Sequence, residues 1–285
     1  MKKLCTRLFI FTIILLGYAN LAVAASILDD ALSITKNVDI DPRASTALES
    51  IPKDLSLTLG YLALCEGTSS ESDIIELGTV SKWSHIAMVL CKPDDVKLTF
   101  KDLNTTNKSA WLCLEATIDN AGKEVRLVPW STFEETQKSA ASIVLRPFTY
   151  SLNSAPNTEE LKFINTYLGL PYEKFITELI AAAFRTNEAE HRQSLFCSEL
   201  VAMTLQHLNM LTTEKTSPDF MHTNNFVPAD FSLERPHSLH LIGAQLGDEL
   251  QAKPEVKSES RKAFECFTDS LRCITQKLCC CSCTQ

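Results

Sequence analysis

The chain lacks most of the features that identify a functional class directly. It has 285 residues, only eight glycines and a formal net charge of −8. It contains no internal repeat, no glycine-rich phosphate loop and no pair of Cys-x-x-Cys motifs. Because a nucleic-acid-binding surface needs an excess of basic side chains, the acidic balance argues against nucleic acid as a partner. These absences lead us to expect neither a cofactor nor a bound metal.

A nearly unbroken apolar run lies close to the N-terminus. The basic segment Lys2 to Arg7 precedes the run Leu8 to Leu16, and the small-x-small motif Ala22-Val23-Ala24 follows it. This order is typical of an export signal and predicts a signal peptide over residues 1–24 of an exported protein, periplasmic or secreted. The alternative is an uncleaved N-terminal hydrophobic anchor, although the run is short for a membrane span.

The rest of the chain divides into three parts. A polar lead-in covers residues 25–56, and a central domain covers residues 57–250. A linker, an amphipathic helix and a Cys-rich tail fill residues 251–285. A central part of about 200 residues is long enough for one globular domain with a sizeable core.

The hydrophobic pattern changes character along this domain. Apolar runs predict strands at Leu57–Cys65, Trp83–Cys91, Trp111–Thr117, Glu124–Val128 and Ile143–Arg146. Helical spacing follows at Thr158–Leu168 and Ser194–Met210, and a further strand is predicted near Leu239. Strands followed by helices indicate an α+β fold.

Cys197 is the first candidate for a reactive side chain. It lies in the first turn of the most strongly patterned helix, on one stripe with Val201, Leu205 and Leu208. The unpaired N–H groups and the dipole of a helix N-terminus stabilise an anion, which favours a thiolate there. The backbone N–H of Cys197 could also donate to an oxyanion. The alternative is a small buried hydrophobic side chain, the usual role of a lone cysteine on an apolar stripe.

His85 and Glu115 are candidates for the base and for its orienting group. His85 opens an apolar strand and shares a face with Ala87 and Val89; the alternative is a structural histidine bonded to a carbonyl. Glu115 stands inside an apolar strand, where a carboxylate is rarely buried without a partner. His85 is a natural partner, and the alternative partners are Arg126 and Arg146.

Several short segments stand in a characteristic order along the chain. They are Gly60-Tyr61-Leu62-Ala63-Leu64, Gly67-Thr68, Ser81-Lys82-Trp83-Ser84-His85, Leu114-Glu115-Ala116, Leu170-Pro171-Tyr172 and Phe196-Cys197-Ser198-Glu199-Leu200-Val201. Together they resemble the YiiX/YebB-like group, which are circularly permuted relatives of the NlpC-type papain-like cysteine hydrolases. The histidine precedes the cysteine, the reverse of the papain order. The resemblance spans roughly Leu57 to Phe231.

Two positions depart from the pattern of this group. Gly60-Tyr61 stands where the group commonly has Gly-Asp. Val227-Pro228-Ala229-Asp230 resembles a Pro-Gly-Asp segment near the end of the domain, with Ala229 in place of glycine. Both departures concern turn chemistry more than the residues proposed to react.

The resemblance implies a permuted papain-like fold, with an antiparallel sheet packed on a helix that carries the nucleophilic cysteine at its N-terminus. It implies Cys197 as nucleophile, His85 as base and Glu115 as the orienting group. Tyr172 would line the site or donate to the oxyanion. The implied activity is cleavage of an amide bond in a peptide, an isopeptide or a cell-wall peptide. The alternatives are a thiol-dependent lipid esterase or acyltransferase at a membrane surface, and a non-catalytic ligand-binding domain of the same fold.

The C-terminal tail has a pattern of its own. Apolar residues spaced by three and four positions predict an amphipathic helix; they are Phe264, Phe267, Leu271, Ile274 and Leu278. The helix runs into Cys279, Cys280, Cys281 and Cys283, a cluster that suits S-acylation and attachment to a membrane surface. The alternatives are a soft-metal site and incidental cysteines.

Overall fold

The computed structural model describes residues 47–68, 72, 75–76, 79, 81–97, 107–119, 122–151, 155–172, 181–187, 195–235 and 237–253. The predicted signal peptide and the predicted amphipathic helix with its cysteine cluster lie outside these residues. Export, membrane attachment and S-acylation therefore stay predictions from sequence.

The described part of the chain forms one seven-stranded sheet. Its strands are β1 (Thr58–Glu66), β2 (His85–Cys91), β3 (Leu112–Asp119), β4 (Gly122–Pro129), β5 (Ser142–Tyr150), β6 (Ala244–Leu246) and β7 (Leu250–Lys253). The order is β4-β3-β2-β1-β5-β6, with β7 also paired to β5, and every pairing is antiparallel. An α+β fold built on an antiparallel sheet is thus confirmed.

β1 and β2 are adjacent in the interior of the sheet and are buried on both faces. Alternate side chains of a strand point to opposite faces. Leu62 and Met88 belong to one hydrophobic core, whereas Ala63 and Val89 belong to a second core on the other face. Burial on both sides explains why these two strands are near-continuous apolar runs in the sequence.

Three α-helices lie wholly within the described ranges: α1 (Trp130–Thr136), α2 (Thr158–Leu161) and α3 (Cys197–His207). α3 packs on β2 and β3. Its buried stripe includes Cys197, Val201 and Leu205, as the spacing predicts. The helix ends at His207 because Asn209 adopts a positive φ of 55° and Met210 N–H returns to the carbonyl of Leu205.

Two predicted elements differ from the structure. The helix predicted at Thr158–Leu168 is the short α2 followed by a 3-10 helix, Lys162–Thr166. Its buried residues Leu161 and Ile164 are three positions apart, which a 3-10 helix accommodates as well as an α-helix. The strand predicted near Leu239 is wrong, because Leu239 packs half-buried against the core without strand pairing and the next strand is β6.

None of the helices in the described ranges is long and apolar enough to cross a membrane.

The packing of α3 on the sheet can be tested by removing one of its core side chains. Leu205 is fully buried in the core that α3 shares with the sheet. We expect Leu205→Ala to lower the free energy of unfolding by about 2–5 kcal/mol, measured by urea denaturation. The control is Gln206→Ala, at a half-buried position of the same helix, which should cost less than about 1 kcal/mol. Equal losses in the two variants would contradict this packing.

Candidate active site

Cys197 and His85 meet where two elements begin. His85 is the first residue of β2, and Cys197 is the first residue of α3, which packs on β2. The thiol of Cys197 lies beside the imidazole of His85 and interacts with it. Cys197 is only 2% exposed, and the side chain of His85 is 15% exposed. The pair therefore lies just below the surface of the domain.

Local packing sets the position of His85. The backbone N–H of Ser84 donates to the carbonyl of Cys65 on β1, and the buried Ser84 hydroxyl accepts from the N–H of Gly67 at 2.8 Å. A Cβ atom at Gly67 would lie 2.8 Å from that hydroxyl oxygen, so the close approach requires glycine. The two resembling segments Gly67-Thr68 and Ser81–His85 thus act together to position the start of β2.

Glu115 is the hydrogen-bonding partner of the His85 imidazole. Its Oε2 is 3.1 Å from Nε2 of His85, and its side chain is fully buried. Because side chains alternate along a strand, His85 shares a face with Ala87, and Glu115 shares a face with Cys113. Ala87 and Cys113 belong to the same core, so His85 and Glu115 lie on the same face of the sheet. Because Glu115 occupies Nε2, Nδ1 is the nitrogen that remains for the thiol.

Arg126 holds the second oxygen of the same carboxylate. It stands opposite Glu115 in the β3–β4 register, and its Nε and Nη2 both donate to Oε1, at 2.9 and 2.7 Å. Two partners that the sequence offered as alternatives, His85 and Arg126, are therefore both present. Arg146, the third, instead donates to backbone carbonyls of Phe231, Leu246 and Gly247.

The interactions between the side chains of the site outweigh the effect of burial on the pKa values of His85 and Glu115. Burial acts to lower the pKa of His85, but the hydrogen bonds and negative charges of Cys197 and Glu115 outweigh it and raise the pKa to about 10. Burial acts to raise the pKa of Glu115, but the hydrogen bond to His85 and the charges of His85 and Arg126 lower it overall. The protonated ring of His85 is therefore favoured beside the ionised Glu115, and the ring of Phe133 stacks on it with centroids 6.4 Å apart.

The other buried thiols in the described ranges have a different character. Burial is the main cause that raises the pKa of Cys65, Cys91 and Cys113. These side chains act as small core residues. Cys197 differs from them because it lies at a helix N-terminus beside an imidazole.

Tyr172 lies beside the segment that leads to Cys197. It forms a parallel bridge with Leu195, and the N–H of Leu195 donates to the carbonyl of Pro171 at 3.0 Å. Its side chain packs against the core cluster that contains Phe196. The structure thus places Tyr172 near the start of α3, and a part in substrate or oxyanion binding stays a prediction.

Asp230 holds together a loop that packs near the start of α3. Its buried carboxylate accepts from Arg185 at 2.5 and 2.8 Å, from Arg235 at 3.2 Å and from the N–H of Val227 at 2.8 Å. Val227 packs on Phe196, the N-cap of α3. The sequence pattern Val227-Pro228-Ala229-Asp230 was a signal for this loop, but it does not reveal that two arginines share the carboxylate.

No group of three or more His, Cys, Asp or Glu side chains is placed to hold a metal ion in the described ranges.

Comparison with known proteins finds similarity at the level of structure. No protein-family model matches the chain, and no curated protein matches it. The chain is similar to the crystal structure of the metalloprotein YiiX from Escherichia coli O157:H7. The two are 19% identical, the alignment covers 70% of this chain and 98% of that one, and the TM-score is 0.35.

The raised pKa of His85 predicts how the stability of the fold depends on pH. The pKa is about 6.5 when the chain is unfolded and about 10 when it is folded. The contribution of His85 is therefore complete below pH 6.5 and is lost as the pH rises towards 10. In the Cys197→Ala background, where no thiolate can form at the site, Glu115 still favours the charged ring, and we expect the difference in free energy of unfolding made by His85→Gln to shrink as the pH rises above 6.5, by at most about 1.4 kcal/mol per pH unit.

Urea denaturation under reducing conditions at pH 6, 7, 8 and 9 measures this difference. Cys65, Cys91 and Cys113 are present in both proteins, so their ionisation on unfolding cancels in the comparison, and Cys197 is alanine in both. A difference that stays constant from pH 6 to pH 9 would contradict a raised pKa for His85.

Proposed function

We propose that this protein is a cysteine hydrolase that cleaves an amide bond in a peptide, an isopeptide or a cell-wall peptide. The observation that carries the proposal is the chain of contacts from the thiol of Cys197 through His85 to the buried carboxylate of Glu115. A nucleophile, a base and an orienting acceptor in hydrogen-bonding order are the parts required for nucleophilic catalysis by a thiol.

The helix N-terminus favours the reactive form of Cys197. The N-cap is Phe196, whose side chain has no hydrogen-bond acceptor, so the cap itself does not occupy the first N–H groups of α3. These groups and the helix dipole stabilise a thiolate. The backbone N–H of Cys197 is also suited to donate to the oxyanion that forms when the thiolate attacks a carbonyl.

The reaction would proceed in two stages. His85 takes the proton of the thiol, the thiolate attacks the carbonyl carbon, and His85 returns the proton to the leaving amine as the thioester forms. His85 then removes a proton from water, which attacks the thioester and releases the acid. Glu115 holds the ring throughout and stabilises its protonated form.

The arrangement of elements supports a permuted papain-like classification. A helix with cysteine at its start packs on an antiparallel sheet, and the strand that begins with histidine lies upstream of the helix. Action on lipid esters at a membrane would use the same thiol, but it rests on the tail, which lies outside the described residues. The domain itself offers the most direct test.

Alkylation of Cys197 by iodoacetamide tests the proposed pair without knowledge of the substrate. A thiolate–imidazolium pair in the wild-type protein should give a rate that changes little from pH 6 to pH 8. In His85→Ala the rate should rise about tenfold per pH unit and should be at least about tenfold slower at pH 6. Peptide mass spectrometry measures the rate at each cysteine separately.

Cys65, Cys91 and Cys113 provide controls within the same molecule. Burial raises the pKa of all three, so they should react slowly at every pH in this range. A Cys197 that reacts only at alkaline pH, with or without His85, would contradict a catalytic pair and favour the ligand-binding alternative.

Substitution of the nucleophile tests turnover itself. We expect Cys197→Ala to abolish cleavage of a pool of fluorescence-quenched peptides, or of cell-wall peptides, with unfolding free energy altered by less than about 2 kcal/mol. Cys113→Ala, at a buried thiol outside the triad, is the matched control and should keep its activity. Equal activity of Cys197→Ala and wild type on a cleaved substrate would exclude Cys197 as the nucleophile.

A further inference from the structure

We propose that Arg126 is a positioning residue that makes this site require a carboxylate at position 115. Arg126 does so by holding one oxygen of Glu115, so that the other oxygen faces His85. This inference rests on the proposed Cys197–His85 pair and adds a side chain that a cysteine hydrolase does not require in general.

The geometry leaves the carboxylate one orientation. Arg126 places two N–H groups on Oε1, and His85 meets Oε2 at 3.1 Å. Glu115 is fully buried and Arg126 is 4% exposed, so neither side chain can turn to water without losing its partners. Their direct opposition across β3 and β4 fixes their separation through the backbone.

A carboxylate suits this position because both of its oxygens accept hydrogen bonds. An amide has only one acceptor, and an arginine can only donate. With Arg126 present, an amide at position 115 would turn its oxygen to Arg126 and its NH₂ group to Nε2 of His85. The ring would then carry its proton on Nδ1, towards the thiol, and could not accept the proton of Cys197.

The same reasoning explains a contrast with other thiol hydrolases. Papain-like proteases use an asparagine to orient the histidine, and a neutral amide serves there. In serine proteases, an amide in place of the orienting carboxylate holds the wrong tautomer and lowers kcat about 10⁴-fold. Here Arg126 competes for the acceptor oxygen, which makes Glu115 the side chain that satisfies both neighbours.

Few other titratable groups in the described ranges approach these side chains. Burial raises the pKa of the neighbouring thiols on β1 and β3, which keeps them neutral between pH 6 and pH 8. The groups that face Glu115 or His85 from the packed elements are Cys65 on β1, Cys113 on β3, Arg126 on β4 and Cys197 on α3.

The test compares wild type, E115Q, R126M and the double variant E115Q/R126M. The first measurement is the rate of Cys197 alkylation by iodoacetamide at pH 6.5. We expect E115Q to react at least about tenfold more slowly than wild type. We expect R126M to restore reactivity in the E115Q background, because the amide can then turn its oxygen to His85, but to give no increase in the Glu115 background.

The second measurement is the tautomer of the neutral His85 ring, read from its ¹⁵N NMR shifts in the Cys197→Ala background at a pH where the ring carries one proton. E115Q should carry the proton on Nδ1, and E115Q/R126M should carry it on Nε2. A purely structural role of Arg126 would not reverse the tautomer. E115Q/R126K should behave like E115Q, because an ammonium group also only donates.

The control is E115Q/R146M, since Arg146 is a buried arginine whose acceptors are backbone carbonyls outside the site. It should not restore reactivity. The proposal is overturned if E115Q already holds the proton on Nε2, or if removing Arg126 leaves the tautomer of E115Q unchanged. An unreactive Cys197 in wild type would instead contradict the proposed hydrolase, while the NMR comparison would still decide the role of Arg126.

Discussion

The candidate site depends on one buried carboxylate that serves two cationic partners. Glu115 has no contact with water, so its charge is tolerable only because His85 and Arg126 each hold one of its oxygens. Because each oxygen is held by a different partner, the plane of the carboxylate is fixed, and this plane sets the orientation of the imidazole ring. The orientation of the ring in turn decides which nitrogen meets the thiol of Cys197. The loss of any one partner would leave a buried group unsatisfied.

The sheet explains how these side chains come to meet. Glu115 and Arg126 are opposite each other in the β3–β4 register, and β3 is the neighbour of β2, which begins with His85. The contacts therefore follow from strand pairing rather than from a flexible loop. The thiol of Cys197 is positioned by a different contact, the packing of α3 on β2 and β3. The Asp230 loop packs near the beginning of that helix, and the hydroxyl of Ser198 donates to the carbonyl of Phe226 just before the loop.

Much of the fold could be predicted because its elements are local patterns. The strand and helix that carry His85 and Cys197 are strongly apolar, and burial on both faces of β2 preserves that signal in the sequence. Weak patterns did not allow a correct prediction. The helix α1 was not predicted, because it has only seven residues, and the segment near Leu239 was predicted as a strand although it packs on the core without a strand partner. The 3-10 turn after α2 was missed because spacing by three suits both helix types.

The sequence by itself determined which side chains could react and which elements carry them, because helix ends and strand faces follow from short-range periodicity. It also showed that Glu115 needs a cationic partner, since a carboxylate in an apolar strand cannot be buried alone. Only the tertiary structure decided that two of the candidate partners bind it together and that the third, Arg146, serves the backbone elsewhere. Strand order and register set these pairings, and both depend on contacts between residues far apart in the chain.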